Sequence, residues 1–303
     1  MYYDNDEKKV FEEQSMKSYT IKKILVPIDF SPLSLNAAKH AVTIAKATRA
    51  KIILLHVIQP IVELYGDSSM VLAASKLEDE VMNKNTKRIE SLAATLHKQS
   101  KIPVHKQVVV GTIDTMIVHT AEKDKADLIV MGTHGANGFL DTVLGSTTYS
   151  VVALSKIPVL SVHKPPSRAG YSHLVYPVRE ETQYMDKFPY ALMFARMFKA
   201  RIDIVGLLRA GQDKFTELMH ARCSTLQDKF ARYKVQARMV FTKNEYFADE
   251  TISHAYPNSL VVIMQDQDFS LSDLFRKSFT KGIVQKALAP VLTIPLLKQK
   301  VNG

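Results

Sequence analysis

The chain repeats one pattern twice: a short, continuously apolar run is followed by a segment with helical periodicity. The first run, residues 24–28, reads Ile-Leu-Val-Pro-Ile, and the second lies at 51–57. Unbroken apolarity, rather than alternation, indicates strands that are buried on both faces, as in a parallel sheet. Because strand and helix alternate along the whole chain, we expect an α/β fold built from doubly wound, five-stranded parallel sheets.

The pattern is interrupted once and then starts again, which indicates a tandem duplication. The interruption at 165–170 contains two prolines and a glycine and is typical of a linker. After it, Pro177 stands in its apolar run where Pro27 stands in the first. A helix of the second unit is expected from about Thr182 to Lys199. The expected units are a charged leader over 1–18, a first domain over 19–164, a linker over 165–170 and a diverged second domain over 171–303.

Composition restricts the class of protein. The chain has 303 residues, of which 46% are hydrophobic and 23% charged, as in globular domains, and this excludes a disordered or collagen-like chain. A single cysteine, Cys223, excludes an intrachain disulfide and favours a reducing compartment. No apolar run reaches the roughly 18 residues of a membrane span, and the polar start differs from a signal peptide. We expect a cytoplasmic protein without membrane contact.

The net charge of +10 raises the question of nucleic-acid binding. Most of the excess lies in the second half, and no more than two basic residues stand side by side. Basic residues that do not cluster usually form an ordinary solvated surface. With no nucleic-acid-binding motif present, we do not expect DNA or RNA as a partner.

A glycine-rich loop is the strongest functional signal in the sequence. It joins a strand that ends at Gly132 to a helix that is expected to begin near Ser146. Glycines allow main-chain N–H groups to face a ligand, and the N-terminus of the following helix adds partial positive charge. At the carboxyl end of a strand, these features predict an anion site suited to phosphate. Ser146 and Thr147 add hydroxyl donors.

The spacing of the loop excludes three better-known sites. Gly145 is not followed by Lys-Ser or Lys-Thr, so the loop is not a P-loop. No Gly-x-Gly-x-x-Gly follows the first strand, so the dinucleotide-binding fingerprint is missing. No Gly-x-Ser-x-Gly elbow is present, which argues against an α/β-hydrolase.

What remains is the spacing Gly-x2-Gly-x9-Gly-Ser, at positions Gly132, Gly135, Gly145 and Ser146. Together with Pro27-x-Asp29 at the first strand, this spacing resembles the universal stress protein family. The resemblance extends from about Thr20 to His163. The second half resembles the same family by its order of elements.

The resemblance implies an adenine-nucleotide α-hydrolase-like (HUP-type) fold with ATP as its ligand, alone or with Mg²⁺. It implies that Asp29 lies near the adenosine, that Val57 lines the adenine pocket and that Ser146 binds phosphate. The full set of implied nucleotide-binding residues is Pro27, Asp29, Val57, Met131, Gly132, Gly135, Gly145, Ser146 and Thr147. No catalytic or metal-ligating residue is implied, and we expect at most slow ATP hydrolysis.

The second half departs from the family motif. Arg179 replaces the aspartate of Pro-x-Asp, and Asp266 and Asp268 follow the strand that ends at Met264, where the first half has glycines. Carboxylates repel phosphate, so we do not expect this half to bind ATP in the same way. Family members pair through their last strands. The resemblance therefore implies that strands 158–162 and 290–294 pair within the chain as a pseudo-dimer, with further homodimerisation open.

Two other functions stay open beside an ATP-binding stress-response or signalling protein. The second half, with its methionines and phenylalanines, could bind a non-nucleotide ligand or a protein, which would make the chain an adaptor and the glycine loop a relic. The other is an enzyme such as a nucleotidyl transferase of a related fold, and the absence of a His-x-Gly-His motif argues against it.

Overall fold

The computed structural model describes residues 19–60, 68–133, 146–163, 170–179, 184–208, 213–242, 258–265, 283 and 289–296. The leader, the linker up to residue 169 and most of the glycine-rich loop lie outside the described residues, so the domain boundaries stay predictions. Within those ranges, no helix is long and apolar enough to cross a membrane.

Strand and helix alternate through the first half and, in the second half, up to residue 242, which confirms the predicted α/β class. The first half consists of β1 (Lys23–Pro27), α1 (Pro32–Thr48), β2 (Lys51–Ile58), α2 (Ser68–Ser100), β3 (Val104–Val110), α3 (Ile113–Lys123), β4 (Leu128–Gly132), α4 (Ser146–Leu154) and β5 (Val159–Val162). The second half contains β6 (His173–Val178), α5 (Phe188–Phe198), β7 (Arg201–Leu207), α6 (Asp213–Arg232), β8 (Ala237–Thr242), β9 (Ser259–Met264) and β10 (Val291–Ile294).

The described strands form one ten-stranded sheet in the order β3-β2-β1-β4-β5-β10-β9-β6-β7-β8. Within each half all neighbouring strands are parallel. Parallel pairing requires helical crossovers that cover the faces of the sheet, and this explains why β5, β9 and β10 are buried throughout. The strand order reverses between β1 and β4, and again between β6 and β9.

The halves meet through β5 and β10, the one antiparallel pair among the described strands. Leu160 faces Leu292 at its centre, and both residues are fully buried. This pairing leaves neither strand as a free edge, where unpaired N–H and C=O groups would invite aggregation. The outer edges are β3 and β8, and they carry exposed cationic or imidazole side chains such as Lys106, His105 and Arg238.

Helix α1 begins where the sequence predicts. Ser31 caps it, because its hydroxyl oxygen accepts a hydrogen bond of 3.2 Å from the N–H of Ser34, and Pro32 takes the first helical position. The helix buries an alanine stripe that includes Ala37 and Ala41. Small side chains allow α1 to lie close to the sheet.

The expected start of the corresponding helix in the second half, about Thr182, is wrong. Helix α5 begins at Phe188, and residues 184–187 form a turn. Pro189 explains the difference, since proline lacks an N–H group and clashes with the preceding turn of a helix interior. Lys187 is therefore the N-cap of α5 and not an interior residue.

Buried contacts on one face of the sheet join the halves a second time. Nδ1 of His40 in α1 lies 2.7 Å from the hydroxyl oxygen of Tyr171, and both side chains are buried. The Tyr171 ring packs edge-on against Phe198 at 5.0 Å. Gly170 has a φ of +75°, and a Cβ there would lie 2.4 Å from the Phe198 ring, so only glycine fits at this entry to the second half.

Gln265 joins the halves on the other face by capping a helix of the first half. Its Nε2 donates to the carbonyl oxygens of Val152 at 3.3 Å and Ala153 at 2.9 Å, and its Oε1 accepts from the N–H of Leu296 at 3.3 Å. The two carbonyls belong to the last turn of α4, where the helix itself supplies no donors. A buried amide from the second half therefore completes a helix of the first.

We expect Gln265→Leu to lower the free energy of unfolding by roughly 1–3 kcal/mol, because it leaves buried carbonyl and N–H groups without partners. Urea denaturation measures the change. Gln99→Leu, at an exposed position near the end of α2, is the matched control and should change stability by less than about 0.5 kcal/mol. Equal effects of the two substitutions would contradict the capping role.

Candidate functional site

The carboxyl ends of β1 and β4 lie side by side where the strand order reverses. Leu25 pairs with Ile129, and the next strand outward from β1 is β2. In open α/β sheets, ligands bind in the crevice outside the carboxyl ends of the strands at such a reversal. Topology alone therefore makes this edge of the first half the candidate site.

Most of the site residues predicted from the sequence gather at this edge. Pro27 ends β1, Val57 is half-buried near the end of β2, Met131 is buried in β4, and Gly132 ends that strand. Ser146 and Thr147 begin α4. Gly135 and Gly145 lie outside the described residues, so the wrapping of phosphate by the loop stays a prediction.

Asp29 projects from the turn between β1 and α1 as an exposed carboxylate. Its Oδ1 accepts a hydrogen bond of 2.9 Å from the N–H of Ser31. Partial burial alone would raise the pKa of Asp29, but hydrogen bonds from the Ser31 and Ser34 side chains and from the Ser31 backbone outweigh it, so the pKa lies below its ordinary value. The site therefore holds an oriented negative charge at neutral pH.

The residue after Asp29 holds this turn in an unusual backbone conformation. Phe30 has a φ of +64°, a value that bulky residues rarely adopt without support from their surroundings. The Arg88 guanidinium from α2 lies 3.8 Å from the centre of the Phe30 ring, and the His56 ring lies 5.0 Å away. Nδ1 of His56 in turn donates to the carbonyl of Ile28 at 2.6 Å.

Arg88 and His56 were missed as site residues by sequence reasoning. His56 stands on a strand without a metal-ligand partner nearby, and Arg88 lies within a long, polar helix. No spacing rule connects either residue to position 30. An alignment of relatives that showed covariation of these positions would be the signal needed to find them.

Gly132 is required for the packing of α1 against β4. A Cβ at this position would lie 2.9 Å from both the backbone carbon and the Cβ of Leu33, in the first turn of α1. The carbonyl oxygen of Gly132 accepts a hydrogen bond of 2.9 Å from the Thr148 hydroxyl. Of the hydroxyls at the start of α4, Thr148, which the sequence did not single out, thus ties the helix to the end of β4.

A second pair extends the buried polar contacts at this edge. The hydroxyl of Thr133, which is fully buried just after β4, lies 2.7 Å from Nδ1 of His163 just after β5. The ends of β4 and β5 are thus fixed to one another beside the start of α4. This buried contact joins the two strand ends next to the glycine-rich loop.

The partial positive charge at the start of α4 and the negative charge of Asp29 suit different parts of a ligand. The N-terminus of α4 carries no acidic residue in its first turn, so its partial positive charge is available to an anion. Asp29, at the end of β1, accepts hydrogen bonds from hydroxyl groups. Among the described residues, no group of three or more His, Cys, Asp or Glu side chains could hold a metal ion.

Basic side chains lie at the corresponding edge of the second half. Arg179 follows β6 where Asp29 follows β1, and the Arg222 Nη1 donates to the carbonyl of Arg179 at 3.1 Å. Lys187 is buried, donates from Nζ to the carbonyl of Pro177, and lies 4.4 Å from the centre of the Tyr176 ring. Burial, and to a lesser extent Arg179, lowers the pKa of Lys187 to about 7.

Lys187 makes stability depend on pH. Because its pKa is lower in the folded than in the unfolded chain, the unfolded chain binds more protons above pH 7. The free energy of unfolding should therefore rise with pH, by up to about 1.4 kcal/mol per pH unit. We expect Lys187→Met to lose this slope between pH 7 and 8.5 in urea denaturation.

The matched control is Lys214→Met, at an exposed position on α6, which should keep the wild-type slope. Buried Cys223 and Tyr171, whose pKa values burial raises, act in the opposite direction; Tyr171 does so only above this range, and Cys223 begins to do so near its upper end, as the unfolded thiol ionises. Comparison of each variant with wild type removes their contribution. Parallel pH profiles for wild type and Lys187→Met would show that Lys187 is charged in the folded chain.

Gly132→Ala should lower the free energy of unfolding by roughly 1–3 kcal/mol without any ligand, because its Cβ meets backbone that cannot easily move. Gly206→Ala in β7 is the comparison, since its Cβ would meet the side chains of Phe241 and Cys223. Side chains adjust more easily than backbone, so Gly206→Ala should cost less. Denaturation of both variants measures the difference, and a larger cost at Gly206 would contradict the packing argument.

Comparison with known proteins identifies relatives of the first half. The model of the universal stress protein family matches residues 20–163. A universal stress protein of Methanocaldococcus jannaschii is 36% identical over 171 residues, which cover 52% of this chain and 98% of the relative. Universal stress protein A homolog 1 of Coxiella burnetii is 32% identical over 142 residues, covering 46% of this chain and 95% of the relative.

The likeness in fold extends over nearly the whole chain. The crystal structure of a universal stress protein from Archaeoglobus fulgidus superimposes with a TM-score of 0.66 at 15% identity, covering 92% of this chain and 98% of that one. At this identity the match concerns the fold alone. The sequence matches to the first half, which span nearly the full length of two relatives, show that the chain belongs to the universal stress protein family.

Proposed function

We propose that the protein is a cytoplasmic, ATP-binding stress-response or signalling protein whose first half binds the nucleotide. The observation that carries this proposal is the arrangement at the β1–β4 reversal. There an oriented carboxylate at the end of β1 and a helix N-terminus after β4 share one edge of the sheet. A nucleoside phosphate needs both, because its ribose donates hydrogen bonds and its phosphates need positive charge.

Asp29 is proposed to accept hydrogen bonds from the ribose hydroxyls. Acidic residues have this role in other nucleotide-binding α/β folds, where they sit near the end of a strand. The low pKa of Asp29 keeps the carboxylate ionised, and ionised acceptors form stronger hydrogen bonds than neutral ones. The bond from the Ser31 N–H holds the carboxylate in place before the ligand arrives.

The proposed contacts with the base and the phosphates follow from where the other residues lie at this edge. Val57 and Met131 are apolar residues on the two strands that flank β1, and half-buried Val57 offers surface to a planar base. The phosphates would reach the N–H groups at the start of α4, together with Ser146 and Thr147. Any Mg²⁺ would arrive with the phosphates and keep most of its water ligands.

We further propose that the two halves act as an intrachain pseudo-dimer, and the antiparallel register of β5 and β10 supports this. Nucleotide binding would then act as a signal or as a stabiliser. No side chain among the described residues is placed as an arginine finger beside a positioned base, so any hydrolysis is expected to be slow.

A second candidate function is an adaptor that binds a non-nucleotide ligand or a protein. The exchange of Asp29 for Arg179 at the second edge favours it, because that half has lost the ribose acceptor. Under this alternative the first site would be a relic.

The test is the thermal stability of the full chain with millimolar ATP and Mg²⁺. A ligand at 100 times its Kd stabilises the folded state by about 2.7 kcal/mol. Asp29→Asn keeps an acceptor for the Ser31 N–H but removes the charge, so we expect the fold to persist and the Kd for ATP to rise about tenfold or more. Asp79→Asn, at an exposed position on α2, is the matched control and should bind as wild type does.

Two results would count against ATP binding at this site. Absence of a thermal shift in the wild type at millimolar ATP would favour the adaptor. A shift that is identical in Asp29→Asn and wild type would place the nucleotide elsewhere. Phosphate release faster than about 1 per second would favour an enzyme instead.

A further inference from the structure

A cavity of about 330 Å³ lies between the two halves, far from the proposed nucleotide edge. Its floor is formed by residues that precede β1, β4 and β5, such as Ile21 and Pro158, and so it lies at the amino ends of these strands. Helix α5 and Leu292 of the second half form the opposite wall. The volume is at the lower end of the range of small-molecule sites.

The wall contributed by the second half contains two aromatic rings and one thioether. Besides Leu292, it includes Tyr190, Met193 and Phe194, of which Phe194 is almost fully buried and Met193 partly buried. Tyr19 closes the cavity from the first half, with its ring 4.4 Å from that of Tyr190. Rings and a thioether provide faces and edges that suit a flat aromatic molecule.

The tyrosine hydroxyls do not make this lining strongly polar. Burial raises the pKa of Tyr190, and the neighbouring Tyr19 hydroxyl raises it further. Tyr190 therefore stays neutral over the physiological pH range. The aromatic wall offers apolar surface and no charge.

The two charged side chains of the lining differ in their availability. The Oδ2 of Asp127 already accepts hydrogen bonds from the N–H groups of Lys22 at 2.7 Å and Lys23 at 2.9 Å, which stabilise its negative charge. Lys156 has a side chain that is 77% exposed, and its ion pair with Glu122, at 3.4 Å, is exposed too. Exposed pairs of this kind are weak, so Lys156 can turn to an anion in the cavity at little cost.

We propose that this cavity binds a small aromatic acid, with its ring against Tyr190, Met193 and Phe194 and its anionic group at Lys156. Because the cavity is built from both halves, the bound molecule contacts α5 on one side and the amino ends of the first-half strands on the other. It therefore stabilises the contact between the halves, independently of the nucleotide. A nucleoside triphosphate would be a poor ligand here, since a single lysine faces its several negative charges.

The test uses two fluorescent probes that share one aromatic body. 8-Anilinonaphthalene-1-sulfonate carries an anionic group, and N-phenyl-1-naphthylamine lacks it. In titrations of the full chain, we expect one sulfonate probe to bind per chain. Its affinity should be about two- to fivefold higher than that of the neutral probe, because an exposed ion pair contributes a binding free energy of this size.

Two variants locate the probe. Lys156→Glu should remove the preference for the sulfonate, whereas Lys84→Glu, the same charge change at an exposed position on α2 outside the cavity, should preserve it. Met193→Gln should weaken both probes by about threefold or more, because it places a polar group against the aromatic body. Urea denaturation of each variant verifies that it is folded.

Four results would overturn the proposal. Unchanged sulfonate binding in both Lys156→Glu and Met193→Gln would place the probe elsewhere. Equal affinity of the wild type for the two probes would rule out an acid as the ligand class. Displacement of the sulfonate by ATP would locate it at the nucleotide edge, as would loss of its binding in Asp29→Asn. If Asp29→Asn instead loses ATP and keeps the probe, the two sites are separate.

Discussion

The antiparallel pairing of β5 with β10 determines how the rest of the molecule is arranged. Within each half all strands run in the same direction. The antiparallel contact of β5 with β10 makes the strands of one half run opposite to those of the other. The carboxyl edge of each half consequently lies on the same side of the sheet as the amino edge of the other. That is why α5 of the second half reaches the amino ends of the first-half strands and encloses a cavity there, while the proposed nucleotide edge of the first half faces the other way.

The two halves keep one backbone plan and differ in the chemistry of their edges. Helices α1 and α5 both end on a left-handed residue, Arg49 and Lys199, and the next strand starts two residues later in each case. At the carboxyl ends of β1 and β6, however, an aspartate stands in one half and an arginine in the other. Burial of Lys187 beside that arginine adds to the contrast. The two halves thus share one packing plan, while the second edge lacks the carboxylate that the first edge has at Asp29.

The sequence predicts those parts of the structure that depend on local physics. Continuous apolar runs predict the buried parallel strands, and Ser31-Pro32 predicts the start of α1. The sequence also contains a signal for the start of α5, Pro189, but the helical periodicity around this residue suggested a longer helix. Contacts between distant segments could not be predicted in this way. The support of Phe30 by Arg88, the bond between His40 and Tyr171 and the cavity at Tyr190 depend on residues that only the folded chain brings together. Glycine spacing indicated the nucleotide edge, whereas the role of Gly132 in packing against Leu33 required coordinates.

The cap that Gln265 places on α4 makes the halves interdependent in folding. Helix α4 has nine residues, so it spans about 14 Å from the proposed phosphate-binding end to the capped end. Its first residues thus lie at the proposed site of the first half, and its last turn is capped by the second half. An isolated first half would lose the donor for two α4 carbonyls and would expose the β5 edge as well. The second half therefore supplies contacts that complete the helix whose other end borders the candidate site of the first half.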